Sequence, residues 1–285
     1  MYKPKVLGTN FTLGANFAEQ ELPVSISVDE FDFSDASPYR VFVQLEPNDI
    51  VPTEQRLIDN HTFYNLIITW NQRVLDGCPD NTVKYLFGTC RWATNPVDAC
   101  DASQKKFSVS YLTSSKTMCK GHQFRHEIYK NLPSNIGELG ITKHMSPPVL
   151  ECKRPMLYPF QYSIIMENSR RTNWVTEKLI DCLVSRTIPI YWGAPNVGEY
   201  FDTNGILTFE TYSDLSIILR SLTPEFYQSR LGAIEHNLHE AMKYTDVHAR
   251  INEEIRRRLS NAHNLRTSTD KRHGEEVRER LSRLK

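Results

Sequence analysis

Apolar and polar positions alternate along this chain in blocks whose period changes. The most ordered block runs from Tyr162 to Gly193, YSIIMENSRRTNWVTEKLIDCLVSRTIPIYWG. It opens with an apolar run of strand length, Tyr162 to Met166, and continues through a polar loop, Glu167 to Asn173. Leu179, Ile180, Leu183 and Val184 then recur at helical spacing, and a second apolar run, Ile188 to Trp192, ends at Gly193. This is a strand–loop–helix–strand unit, the building block of a doubly wound parallel sheet.

Similar blocks lie upstream. Val24 to Val28, Arg40 to Leu45, Asn65 to Trp70, Val83 to Phe87 and Lys106 to Tyr111 read as strands, with a crossover helix within Gln55 to Tyr64. After a loop, Thr113 to Gly121, a helix is expected from the spacing of Phe124, Ile128 and Leu132. Downstream, Asn204 to Phe209 reads as a strand and Asp214 to Ser221 as a helix. Thr223 caps another helix, with Pro224 at its first position. The proline-rich stretch from Met145 to Pro155 reads as a linker. It divides the chain into an N-terminal α/β domain over 1–150 and a second α/β domain over 151–265. A charged tail or terminal helix is expected over 266–285, and residues 250–260 are expected to pack one face as a final helix.

Composition narrows the function classes. Lysine plus arginine equals aspartate plus glutamate at 34 each, so no global field recruits nucleic acid. No apolar run approaches the roughly 20 residues needed to cross a bilayer, and the first residues lack the apolar segment of a signal peptide. A soluble, cytoplasmic protein without an integral membrane segment is the expectation. The six cysteines form no CxxC pair and sit at no zinc-ligand spacing, so structural thiols are expected. Glu30-Phe-Asp32 is the nearest approach to an acidic metal-binding triplet. It lies far from the ordered block and reads as a solvated turn, so neither metal nor cofactor is expected.

The polar loop places several polar groups at the helix start, where free N–H groups and the helix dipole suit an anion such as a diphosphate. Glu167-Asn168-Ser169, then Asn173-Trp174-Val175-Thr176-Glu177-Lys178, then Ile188-Pro189-Ile190-Tyr191-Trp192-Gly193, resembles the donor-binding signature of the α1,3-fucosyltransferase family, glycosyltransferase family 10. The match is strongest over residues 158–215. Met166 stands where the family has phenylalanine, and Trp174 where it has tyrosine.

That resemblance implies a GT-B fold: two Rossmann-like domains facing across a cleft, with a nucleotide sugar held mainly by residues 160–215. It places Asn168, Ser169, Asn173 and Thr176 near the donor, Trp174 in a stacking role, Glu177 on sugar or ribose hydroxyls and Lys178 on the diphosphate. A carboxylate can accept two hydroxyl hydrogen bonds, and an ammonium stabilises charge that grows on a departing diphosphate. Glu46-Pro47, at the end of a strand, resembles the family segment whose glutamate is the candidate general base, with Glu19, Glu21 and Glu54 as fallbacks. An inverting transfer needs such a carboxylate opposite the leaving group. The family's phosphate-binding arginine opens a helix near Lys120-Gly-His-Gln-Phe-Arg125. Three residues before Phe124 this chain has Gly121, so Arg125 is the candidate, followed by Lys120 and His122.

The resulting expectation is a metal-independent, inverting glycosyltransferase moving a sugar, L-fucose from GDP-fucose on the resemblance, to a hydroxyl of a glycan acceptor. Another donor such as UDP-xylose, a retaining chemistry in the same fold, and a non-catalytic nucleotide-sugar-binding module are the alternatives.

Overall fold

The computed structural model describes residues 3–7, 20, 22–90, 101–146 and 153–260. They form two parallel sheets, each covered on both faces. The first joins β1 (Lys5–Leu7), β2 (Val24–Val28), β3 (Tyr39–Gln44), β4 (Leu66–Thr69) and β5 (Thr82–Lys84) in sequential order, all parallel. Successive strand residues point to opposite faces. Accordingly Phe42 and Ile67 pack with Leu57 of α1 (Glu54–Asp59) and Val74 of α2 (Gln72–Gly77). Val41, Val43, Leu66 and Ile68 pack on the other face, against Val247, Ile251, Ile255 and Leu259 of the chain's last described helix, α9 (residues 247–260).

The second sheet has the order β11-β10-β9-β6-β8-β7. Its strands are β6 (Lys106–Ser114), β7 (Asn135–Ile136), β8 (Leu139–Ser146), β9 (Phe160–Met166), β10 (Ile188–Trp192) and β11 (Leu207–Thr208), parallel except for the β7–β8 pair. Ile165 and Tyr191 face α5 (Glu177–Val184) and α8 (Leu231–Met242). Tyr162, Ile164, Ile188 and Ile190 face the side that carries α3 (Lys120–Asn131), α6 (Tyr212–Ser221) and α7 (Pro224–Ser229). Helix α5 is amphipathic: Leu179, Ile180, Cys182, Leu183 and Val184 are buried, while Glu177, Lys178 and Asp181 share the remaining face. Chain order reverses between β6 and β9, so the loops leaving their carboxyl ends diverge and open a crevice there.

The division expected at residue 150 is corrected by this topology. β6 and β8 belong to the second sheet, so the first crossing between lobes lies between Lys84 and Lys106. The proline-rich segment instead joins β8 to α4 (Arg154–Leu157) within one lobe, and residues 147–152 lie outside the described set. The expected strand Val83 to Phe87 leaves the sheet after Lys84. Its apolar alternation has another cause: Tyr85 and Phe87 enter the first lobe's core, while Leu86 enters the second's. The expected strand over Asn204 to Phe209 is a 3₁₀ turn, Thr203–Gly205, followed by the short β11. The second domain also does not run unbroken to 265, because α9 returns to the first lobe. The tail over 266–285 lies outside the described residues.

Candidate active site

A cleft of about 320 Å³ lies between the carboxyl ends of the two sheets. The first lobe contributes Leu45, Glu46 and Phe87. The second contributes Leu112 to Ser114 from β6, Ile164 to Met166 from β9, and the side chains that follow those strands. Small-ligand sites typically measure about 300–1,000 Å³.

The loop after β9 shapes the cleft wall. Glu167, fully buried, accepts hydrogen bonds from the Thr176 backbone N–H (3.0 Å) and from the Thr176 hydroxyl (2.6 Å). Thr176 caps α5, and the Lys178 ammonium reaches its Oγ1 at 3.0 Å. Lys178 also sits 3.0 Å from Glu177 and 3.4 Å from Glu167. Lys153 pairs with Asp181 at 2.7 Å and lies 3.7 Å from Glu177. Burial works against the charge on Glu177, but the Lys178 and Lys153 ammonium groups outweigh it and hold the carboxyl well below its usual range. Its side chain remains 39% exposed, available to a ligand.

Across the cleft, burial pushes the Glu46 carboxyl above its ordinary value, against the pull of Lys178 and a hydrogen bond from Asn168. That bond, Asn168 Nδ2 to Glu46 Oε2 at 3.2 Å, joins the lobes. The other end of the amide accepts from Trp174 Nε1 at 2.9 Å, so Asn168 is oriented from both sides. Helix α3 closes the cleft with His122 and Arg125. Burial, with the positive charges of Arg125, Lys116 and Lys178, pushes the His122 imidazole down to about 4, so the ring is neutral at physiological pH. Lys116, Lys153, Lys178 and Arg125 thus share one cleft with the carboxylates Glu46 and Glu177. That arrangement can hold a diphosphate by charge while leaving a carboxylate on the opposite wall.

The residues 102–225 match the family model for the C-terminal part of glycosyltransferase family 10 (fucosyltransferase). The chain resembles the family 10 fucosyltransferases. A segment of 62 residues is 34% identical to the α-(1,3)-fucosyltransferase FucT of Helicobacter pylori, covering 22% of this chain and 13% of that relative's length. A crystal structure of an α1,3-fucosyltransferase aligns over 78% of this chain and 80% of its own at TM-score 0.50 and 16% identity. The structure of TarM aligns over 84% of this chain and 54% of its own, at TM-score 0.51 and 12% identity. The fold is α/β of the GT-B kind, two parallel-sheet lobes facing across a cleft.

The cleft brings together Glu46, Arg125, Asn168, Trp174, Thr176, Glu177 and Lys178, seven of the residues singled out by the family's motif. Two others face elsewhere, which corrects their expected donor contacts. Ser169 donates to Asp49 of the first lobe at 2.6 Å. Asn173 is fully buried in a left-handed backbone conformation (φ 64°), donates to the Trp70 carbonyl at 3.1 Å and accepts from Asn196 and Tyr200. Both side chains are engaged by protein partners that fix the loop. Trp174 packs on Trp70 with ring centroids 4.8 Å apart, so much of its surface is committed to the first lobe's core. Arg125 spends one guanidinium nitrogen on the Met166 carbonyl at 2.7 Å, while its buried Nε has no protein partner. Of the fallback bases, Glu54 is tied to Arg73 and Asn71, and Glu19 and Glu21 lie outside the described residues. Lys116 and Lys153 carried no signal in the sequence, since a lysine in a loop or after a proline-rich stretch looks like any other. Glu167 stood in the motif, but only the structure shows what it grips.

Proposed function

We propose that the chain is a metal-independent, inverting glycosyltransferase that moves a sugar from a nucleoside-diphosphate donor to a hydroxyl of a glycan acceptor. GDP-fucose is the donor that the family resemblance favours. The observation that carries this reading is the shared cleft: a carboxylate raised by burial, Glu46, stands at the end of β3, and Lys153, Lys178 and Arg125 line the facing lobe. In the reaction Glu46 takes the proton of the acceptor hydroxyl as its oxygen attacks the anomeric carbon. The bond from that carbon to the diphosphate breaks on the opposite side, and the nucleoside diphosphate leaves with charge that the cations balance. The charge of these cations supports the metal-independent reading, since they could balance the diphosphate as a divalent ion does elsewhere.

The test is turnover of GDP-fucose in chelator, with UDP-xylose and other nucleotide sugars assayed alongside and the product's anomeric configuration read by NMR. Release of GDP with inverted configuration is expected, and Glu46→Gln is expected to lose about 10²- to 10⁴-fold in kcat with GDP binding retained. Retained configuration, or a folded Glu46→Gln variant at full rate, overturns the inverting mechanism. Binding of a nucleotide sugar without transfer or hydrolysis of any donor overturns the enzyme reading in favour of a binding module.

A further inference from the structure

Asp29 follows β2 and has a left-handed backbone, φ 53°, a region that an aspartate enters more readily than most residues but still at some cost. Its own N–H donates to the Val43 carbonyl at 3.1 Å, which locks it beside the end of β3. One carboxylate oxygen accepts the Leu45 N–H and the other accepts the Glu46 N–H, each at 2.8 Å. Strand β3 ends at Gln44, so these two N–H groups lie past its ladder pairs and Asp29 supplies their acceptors. The next residue, Pro47, has a fixed φ and no N–H, and its carbonyl accepts from Ile50 and Val51 at 2.8 and 3.0 Å. The backbone that carries Glu46 is therefore held on both sides.

We propose that Asp29 is a positioning residue for the transfer, gripping the Leu45–Glu46 backbone so that the Glu46 carboxylate stands at one place in the cleft. This rests on the reading of Glu46 as the base. Stability alone gives little reason for a carboxylate here. Burial pushes Asp29 up to about 7, against the pull of its two N–H donors, and the neighbouring Glu46 charge pushes the same way. A neutral side chain would avoid both penalties. Strained backbone and an unfavourably placed charge are tolerated where they set the geometry of a site. The groups that face Glu46 itself are Lys178, Asn168, Glu177 and Lys116. None of them restrains its backbone.

Asp29→Asn is the deciding variant, because asparagine tolerates the left-handed backbone and keeps the shape, but leaves one acceptor oxygen for two N–H groups. It is expected to lower kcat by about ten- to a hundredfold, the scale of a small misplacement of a reacting group. The affinity for GDP should stay close to the parent's, while the melting temperature falls modestly because one N–H loses its acceptor. The acid limb of kcat/KM, which reports protonation of the base, should move to higher pH, because a displaced Glu46 loses the pull of Lys178 and of the Asn168 hydrogen bond. A purely structural role would move the melting temperature alone and leave that limb in place. If Asp29→Asn does not fold, Asp29→Glu decides instead. Its longer carboxylate keeps the charge but displaces the turn, so lowered kcat at unchanged GDP affinity supports the proposal and unchanged kcat overturns it. With Glu46→Gln measured alongside, a dead Glu46→Gln and a fully active, folded Asp29→Asn overturn the role of Asp29 alone. A fully active Glu46→Gln removes the base, and the proposal with it.

Discussion

Gly121 occupies a position where no side chain has room. A Cβ built there would lie 2.1 Å from the Asn168 carbonyl oxygen and 2.7 Å from its carbon, both backbone atoms that cannot swing away. The first turn of α3 therefore lies directly on the loop that orients Asn168, and the Cys119 thiol donates to the same carbonyl at 3.0 Å. This gives a physical reason why the arginine that the family pattern suggests three residues before Phe124 is absent: the two backbones have closed over the space, and Arg125 reaches the cleft from the next turn. Gly121→Ala should force helix and loop apart. A loss of about 1–3 kcal/mol in a melting experiment is expected, the usual cost of overpacking. GDP binding should weaken as well, because the Asn168 bridge to Glu46 and Trp174 moves. An unchanged melting curve with unchanged GDP affinity would show that the loop yields freely. In the sequence Gly121 appeared only as a departure from a motif; its meaning depends on Asn168, which no local pattern places beside it.

The unit β9–loop–α5–β10 was the most legible element of the chain, and β10 runs from Ile188 to Trp192 as the apolar run predicts. The period of its apolar residues and the polar loop between them carry that information locally. What the loop does was less legible, because its partners are remote. Ser169 meets Asp49, and Asn168 meets Glu46, across more than a hundred residues. Asn173 did carry a weak local signal, since asparagine is among the non-glycine residues most often left-handed. Within the element the decisive group is Thr176, whose hydroxyl donates to Glu167, accepts from the Lys178 N–H as the cap of α5, and meets the Lys178 ammonium. Thr176→Val keeps the shape and removes all three contacts. Loss of a cap and of one partner of a buried carboxylate should cost about 1–2 kcal/mol in stability. Lys178, freed from one of its anchors, should bind GDP more weakly, and competition binding measures that directly. Parent-like stability and GDP affinity would mean that neither the cap nor the lysine depends on this hydroxyl.

At the scale of the whole molecule, the described residues cross between lobes twice, and the crossings are tied to each other. Thr89 and Cys90 of the outgoing segment bond the Thr245 carbonyl of the return segment at 2.9 Å, and Arg250 donates to the Leu86 and Gly88 carbonyls while lying over the Tyr85 and Tyr244 rings. The two-lobed α/β plan was readable from alternating strand and helix patterns. The boundary was not, because a proline-rich stretch gives the same signal inside a lobe as between lobes. A final helix was expected near 250–260, yet nothing in its own sequence says which sheet it covers. The structure assigns it to the first lobe: Ile251 and Ile255, both fully buried, close the face of β2, β3 and β4 that α1 and α2 leave bare. Removing part of that cover should therefore be felt in strands some two hundred residues away in sequence. Ile255→Ala is expected to cost about 2–5 kcal/mol, the range for cavities left by large aliphatic side chains. Hydrogen exchange then distinguishes the lobes. Amides of Val24–Val28, Tyr39–Gln44 and Leu66–Thr69 should exchange faster, while those of Phe160–Met166 and Ile188–Trp192 keep their protection. Faster exchange confined to the second sheet would place α9 in the wrong lobe, and equal acceleration in both would make the two lobes one cooperative unit.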